Sequence, residues 1–194
     1  MSVEIYSLLQ NFAAIILVAI VIKLMDDYLD QAIDKEVGVI SFASTLREGI
    51  IPYTLLFFSL AVILSPSPSL ALFFASYIIG MFGDFKRPLS FGLKGYHESL
   101  FILMVSFFAV GWKTTLWAII LIMSIQIIDD YIDLKHDSNR SSNNLVIKLG
   151  KVESALLLLL FLLVAFPLNL IPSVLVLITY PLVNYLFSLF AYRS

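Results

Sequence analysis

The sequence predicts an all-α membrane protein, a polytopic helical bundle of about seven spans in which two related halves surround a central cavity. Of its 194 residues, 60% are hydrophobic and only 13% are charged, and the apolar runs are long and continuous. In the hydrocarbon of a bilayer, backbone polar groups must pair with each other, so only helices or closed β-barrels can span it. Barrel strands alternate between polar and apolar residues, whereas these runs are continuously apolar, so helices are predicted. We expect one transmembrane domain over 1–194, with an internal repeat at about 5–111 and 112–194.

The first two helices are predicted on either side of a polar segment. The apolar run 5–25 begins the first helix, which we expect to continue through Asp34. Residues 35–49 are polar and separate it from a second helix at about 50–65. Pro52 then falls in the first turn, where its missing N–H removes no helical hydrogen bond.

The third and fourth helices follow two polar breaks. Residues 65–69 read Ser-Pro-Ser-Pro-Ser and are expected to interrupt the chain before a helix at about 69–83. A charged loop leads into a fourth helix at about 97–111, which is expected to end at Gly111.

The remaining helices are predicted at about 115–137, 152–166 and 172–191. A polar segment separates the fifth helix from the sixth, and Pro167 and Pro172 are expected to bracket the turn before the seventh. Several of these runs are shorter than the roughly 20 residues of an average span.

The distribution of Lys and Arg predicts the orientation in the membrane. With seven spans, ten basic residues fall in loops on one side, and only Lys113 falls on the other. Because cytoplasmic loops are enriched in Lys and Arg, the rich side is predicted to be cytoplasmic and the N-terminus external. The ten residues are Lys35, Arg47, Lys86, Arg87, Lys94, Lys135, Arg140, Lys148, Lys151 and Arg193.

One acidic pattern, D-D-Y-x-D-x-x-x-D, occurs twice, at 26–34 (the first acidic block) and at 129–137 (the second acidic block). These blocks contain eight of the fourteen acidic residues of the chain. At ~100° per residue, Asp27, Asp30 and Asp34 fall within roughly 60° of one helix face. Both blocks lie at predicted cytoplasmic helix ends, so we expect two parallel-running helices to direct rows of carboxylates towards one cavity.

Such a cluster of carboxylates repels itself and is costly to desolvate unless cations lie among the oxygens. Hard oxygen ligands suit Mg²⁺, which is commonly held by a few carboxylates together with substrate phosphates. The alternative is that these residues are solvated helix ends without a function. The candidate metal ligands are Asp26, Asp27, Asp30, Asp34, Asp130, Asp133 and Asp137.

A metal between carboxylates, with basic side chains around it, is typical of a diphosphate site. The same predicted side of the membrane carries basic residues that are candidates for binding the diphosphate, although each is also explained by the orientation rule alone. These candidates are Arg47, Lys86, Arg87, Arg140 and Lys148.

The two blocks resemble the Asp-rich motifs of the UbiA-type intramembrane prenyltransferase family, whose first motif reads N-D-x-x-D-x-x-x-D. Asp26 stands where the family usually has Asn, and 130–137 is similar to the second motif. Residues 144–151 are similar to the apolar, basic and Leu-Gly segment that follows it, and 85–89 to a Lys-Arg pair between the middle helices. The resemblance covers about residues 10–155 and implies a short, divergent member.

The resemblance implies a Mg²⁺-dependent transfer of a prenyl group from an isoprenyl diphosphate to a lipophilic acceptor within the lipid bilayer, with no nucleic acid as partner. The catalytic residues would be Asp27, Asp30, Asp130 and Asp133, which hold the metal. The bound metal and the basic candidates would stabilise the leaving diphosphate.

Two other readings remain open. Carboxylates in membrane helices also mark ion paths, so the blocks are compatible with a divalent-cation transporter. The short chain is compatible with a non-catalytic remnant of the prenyltransferase fold.

Overall fold

The computed structural model describes residues 3–37, 46–82, 94–134 and 144–191. The regular elements in these ranges are helices, so the all-helical prediction is confirmed for this part of the chain. A short 3₁₀ turn, Arg47–Gly49, precedes the second helix. The α-helices are α1 (Val3–Val37), α2 (Ile50–Leu64), α3 (Pro66–Phe82), α4 (Gly95–Val110), α5 (Trp112–Asp133), α6 (Leu145–Leu149), α7 (Lys151–Leu168) and α8 (Leu170–Ala191).

Four helices in the described ranges are long and apolar enough to cross a membrane, which is consistent with an integral membrane protein. The apolar helices α2, α3 and α4 have 15, 17 and 16 residues, fewer than the roughly 20 of an average span. The number of spans and the arrangement in two related halves therefore stay predictions. The four candidate spans are Glu4–Leu29, Trp112–Ile132, Lys151–Leu168 and Leu170–Leu189.

The prolines interrupt the chain less than the sequence predicted. Ser65 alone separates α2 from α3, because Pro66 opens α3 at the first helical position, where its fixed φ is favourable. Pro167 lies inside α7, one residue before its end, and Pro172 is the third residue of α8. The predicted Pro-bracketed turn is therefore wrong: Asn169 alone connects the two helices.

Helix α5 begins three residues earlier than predicted and ends at Asp133 rather than at residue 137. Gly111 makes the whole connection from α4 to α5, with φ +84°, a left-handed conformation that glycine adopts without strain. Its N–H donates to the carbonyl of Phe107, and its own carbonyl accepts the N–H of Thr115, each at 3.1 Å. The glycine thus ends one helix and starts the next without a loop.

The contacts divide the chain into two packing units, Met1–Ser69 with Val174–Ser194, and Leu70–Ser173. In the first unit α1 and α2 pack antiparallel. Ser65 Oγ at the end of α2 donates to Asn11 Oδ1 at 2.6 Å, whereas Ile50 at its start packs with Leu24. Val183 and Phe187 complete this buried cluster. The cluster holds α1 in place two residues before the first acidic block.

In the second unit α5 packs antiparallel to α7. The start of α5 is held by Trp117, which is fully buried and donates from Nε1 to Ser173 Oγ at 2.8 Å. At the other end of α5, the hydroxyl of Tyr131 donates to the carbonyl of Lys151, the first residue of α7. The Tyr131 contact fixes the end of α5 that carries the second acidic block.

Many of the buried positions carry small side chains, and many large apolar side chains are exposed. Phe108 is 91% exposed and Ile63 is 77% exposed. Close helix packing through small residues is typical of membrane proteins, where lipid covers the outer apolar surface. The fully or almost fully buried small residues include Ala14, Ala61, Ala71, Ala75, Ser106, Thr115, Ala118, Ser124 and Ala165.

Candidate functional site

The first acidic block lies entirely within α1, as predicted, because the helix continues without a break to Val37. Its first carboxylates are paired with a lysine one turn earlier. Lys23 Nζ lies 3.1 Å from Asp27 Oδ1 and 3.6 Å from Asp26 Oδ2. Side chains three and four positions apart are neighbours on a helix, so the backbone itself brings these three groups together. Lys23 lies within the predicted first helix, and its spacing from Asp26 and Asp27 already permits this pairing in the sequence.

The environments of the two paired carboxylates differ. The side chain of Asp27 is only 12% exposed, whereas that of Asp26 is 63% exposed and that of Lys23 is 34% exposed. Asp27 is therefore the less hydrated of the two carboxylates that pair with Lys23. Asp30 and Asp34 follow on the same helix, where the structure describes their backbone.

In the second acidic block, the carboxylate of Asp130 binds the backbone of a following segment. Its Oδ2 accepts the N–H of Leu145 at 2.7 Å, and its Oδ1 accepts from Gln126 Nε2 at 3.4 Å. Its backbone carbonyl accepts from Asn144 Nδ2 at 2.9 Å. Asp130 thus joins the end of α5 to the start of α6, a structural role that the sequence reasoning did not anticipate.

The five-residue helix α6 was missing from the predicted elements, although the chain carries signals for both of its ends. Asn144 Oδ1 accepts the N–H of Ile147 at 3.0 Å, a standard N-cap. Gly150 ends the helix with φ +102°, and its N–H donates to the carbonyl of Val146 at 3.0 Å. An Asn before and a Gly after a short apolar run indicate such a helix. The run was too short to be distinguished from a loop by periodicity.

The other predicted site residues, both diphosphate-binding and metal-ligating, are only partly described. Lys148 is exposed on α6, the helix whose first residue is bound by Asp130. Arg47 opens the 3₁₀ turn before α2, where the structure describes its backbone. Asp133 is the last residue of α5, again described by its backbone. Four further predicted site residues lie outside the described ranges: Lys86, Arg87, Asp137 and Arg140.

One helical turn before the acidic blocks, the two copies carry different polar residues at the equivalent position. Lys23 and Gln126 lie at the same offset of 103 positions as Asp27 and Asp130. Each long polar side chain lies four residues before its aspartate and reaches it, as an ammonium in the first copy and as a neutral amide in the second. The two copies therefore share a local contact and differ in its charge.

The donors at the blocks fit a hard divalent cation by their chemistry, because carboxylate oxygens are the ligands that Mg²⁺ prefers. The ammonium of Lys23 also demonstrates that the Asp26 and Asp27 oxygens accommodate a positive charge between them. Within the described ranges no three acidic, His or Cys side chains gather around one point. Asp30, Asp34, Asp133 and Asp137 are not among the side chains described.

Comparison with known proteins returned no match among family models, curated proteins or solved structures.

Proposed function

We propose that this chain is a Mg²⁺-dependent integral membrane prenyltransferase, which moves an isoprenoid group from its diphosphate to a lipophilic acceptor. The observation that carries the proposal is the duplicated pattern D-D-Y-x-D-x-x-x-D. Each copy begins at the end of a stretch long and apolar enough to cross a membrane, because its first four residues are the last four of Glu4–Leu29 or of Trp112–Ile132. This placement suits an amphiphilic substrate, whose diphosphate requires a polar boundary and whose hydrocarbon chain requires the bilayer.

The acidic blocks would bind the metal ions. Asp27, Asp30, Asp130 and Asp133 would supply the principal ligands, with Asp26, Asp34 and Asp137 in support. Bound Mg²⁺ would neutralise the charge that develops as diphosphate leaves. In the transfer, the bond between the prenyl carbon and the diphosphate oxygen breaks, and its electron pair leaves with the oxygen. The acceptor forms the new bond to that carbon and loses a proton.

The basic residues would orient the diphosphate against the acidic blocks. Lys148 supports this assignment best among the described candidates, because it lies on α6, which is tied to Asp130 by the hydrogen bond from Leu145 N–H. Arg47, Lys86, Arg87 and Arg140 are the other candidates. A cation on an element anchored by an acidic residue of the site would hold an anionic group close to that residue.

The orientation is part of the proposal. The ten-to-one distribution of basic residues in the predicted loops favours a cytoplasmic site and an external N-terminus. Isoprenyl diphosphates are charged, so a site at the cytoplasmic boundary would take the headgroup from water while the chain lies among apolar helices. The outward-facing apolar side chains of the described helices support contact with the bilayer.

The test measures diphosphate release and organic-soluble product from purified protein in lipid nanodiscs. Radiolabelled geranyl, farnesyl and geranylgeranyl diphosphates are supplied with Mg²⁺ and an extract of membrane lipids as acceptors. We expect Asp27→Asn and Asp130→Asn to lower turnover about 100-fold, the size of effect seen when one electrostatic group of a site is removed. Glu4→Gln, which removes an exposed carboxylate from the start of α1, is the matched control and should retain activity.

The substitution to Asn is preferred to Ala at position 130, because its amide oxygen still accepts the N–H of Leu145. The proposal is wrong if no prenyl diphosphate is consumed under any of these conditions by a folded protein. If proteoliposomes instead carry Mg²⁺ or Mn²⁺ across the bilayer and both Asn variants abolish the flux, the chain is a cation transporter.

A further inference from the structure

We propose that Lys23 is a built-in counter-cation that weakens metal binding at the first acidic block and makes the two blocks unequal. The inference rests on the proposed function, because it assumes that the blocks bind divalent cations. Lys23 Nζ contacts Asp27 Oδ1 at 3.1 Å. That ammonium must move away before the same oxygen can bind a metal ion, so the lysine and the metal compete for one carboxylate.

The surroundings make this competition effective. Asp27 keeps only 12% of its side chain exposed, and Lys23 keeps 34%. Attraction between charges is screened less where water is partly excluded, so this pair is stronger than one on an open surface. Lys23 also reaches Asp26 at 3.6 Å and therefore neutralises part of the charge of both leading carboxylates.

The second block lacks this competitor at the equivalent position. Gln126 lies four residues before Asp130, as Lys23 lies four residues before Asp27. Its amide donates to Asp130 Oδ1 at 3.4 Å and contributes no charge. A metal ion approaching Asp130 therefore meets no repulsion from this position. On account of this position, the second block is expected to bind a divalent cation more tightly than the first.

Lys23 has a flexible stem, which allows it to leave the carboxylates without unfolding the helix. Its exposed fraction also gives the ammonium access to solvent or to an anionic ligand when it leaves. The phosphate oxygens of a bound isoprenyl diphosphate are such an anion. Lys23 would then exchange its acidic partners for substrate, so that the first block accepts its metal together with the diphosphate.

The experiment counts bound Mn²⁺ by electron paramagnetic resonance, with protein in nanodiscs and no prenyl substrate. We expect Lys23→Gln to tighten the weaker Mn²⁺ site about tenfold, because removing one positive charge at contact distance from a divalent ion has at least this effect on affinity. Gln126→Lys should weaken the tighter site by a similar factor. Lys113→Gln, which removes an exposed lysine from the start of α5, is the matched control and should change neither site.

The affinity gained by Lys23→Gln must depend on the first block, so Asp27→Asn in the same chain should remove it. The inference is overturned if Lys23→Gln leaves both Mn²⁺ affinities within twofold of the parent values or weakens them. Absence of saturable Mn²⁺ binding in the folded parent and in Lys23→Gln would overturn the inference and the metal site together. Normal Mn²⁺ binding with the expected shifts, but no consumption of prenyl diphosphate, would contradict the proposed transferase and leave the role of Lys23 standing.

Discussion

The two acidic blocks share a nine-position pattern, yet the chain engages their carboxylates by different means. In the first block, Asp27 is paired with an ammonium from its own helix, Lys23. In the second, Asp130 accepts a backbone N–H from Leu145, fifteen positions later in the chain. The first contact is ionic and local, whereas the second is a hydrogen bond that holds two helices together. A shared motif therefore does not imply a shared environment.

The tyrosines of the two blocks also differ in their surroundings. Tyr131 donates its hydroxyl to the carbonyl of Lys151 and so fastens the end of α5 to the start of α7. Tyr28, at the equivalent position, is 40% exposed on α1. Helix α1 also continues past its block to Val37, whereas α5 ends at Asp133 inside its block. The second block thus contributes to tertiary structure through Asp130 and Tyr131, whereas the described ion pairs of the first block, from Lys23 to Asp26 and Asp27, lie within α1.

The largest expected difference in stability is at Asp130. Asp130→Ala leaves the N–H of Leu145 without its acceptor, and an unsatisfied buried or half-buried donor costs about 1–3 kcal/mol. Asp130→Asn retains an acceptor oxygen and should recover most of this loss. The measurement is the free energy of unfolding in mixed detergent micelles, and equal losses for the two variants would contradict the hydrogen-bonding role.

A smaller effect on stability is expected at Tyr131, the tyrosine of the second block. Tyr131→Phe removes the hydrogen bond to the Lys151 carbonyl and should lower the free energy of unfolding by about 1 kcal/mol. Tyr28→Phe is the matched control in the first block, where loss of an exposed hydroxyl should stay within about 0.5 kcal/mol. Thermal unfolding followed by tryptophan fluorescence compares the two variants. A larger effect at Tyr28 than at Tyr131 would reverse the contrast between the blocks.

The smallest expected effect on stability is at Lys23. A partly exposed ion pair on one helix contributes less than about 1 kcal/mol, so Lys23→Gln should lower the free energy of unfolding by no more than this. The difference should shrink between 0.1 and 1 M NaCl, since salt screens exposed charges. Gln126→Ala should show no comparable dependence on salt. A salt-independent loss at Lys23 would indicate that the lysine acts through packing of its stem.

The helices were largely predictable from local patterns. Continuous apolar runs located α2 and the long helices, and the helical continuation of the first run through Asp34 was correct. The predicted helix ends were wrong near prolines and glycines, such as Pro66 and Gly111. There, a single residue separates two helices for which the sequence predicted a longer connection. Helix ends depend on one or two backbone conformations, which composition alone does not specify.

By itself, the sequence determined where the apolar helices and the two acidic blocks lie, because both follow from the local spacing of side chains. It also contained the Lys23–Asp27 contact, since residues four positions apart meet on any helix. Only the tertiary structure decided that Asp130 binds Leu145 and that Tyr131 binds Lys151. Those partners are far apart in the chain, and they meet because α5 and α7 pack antiparallel with α6 between them in sequence.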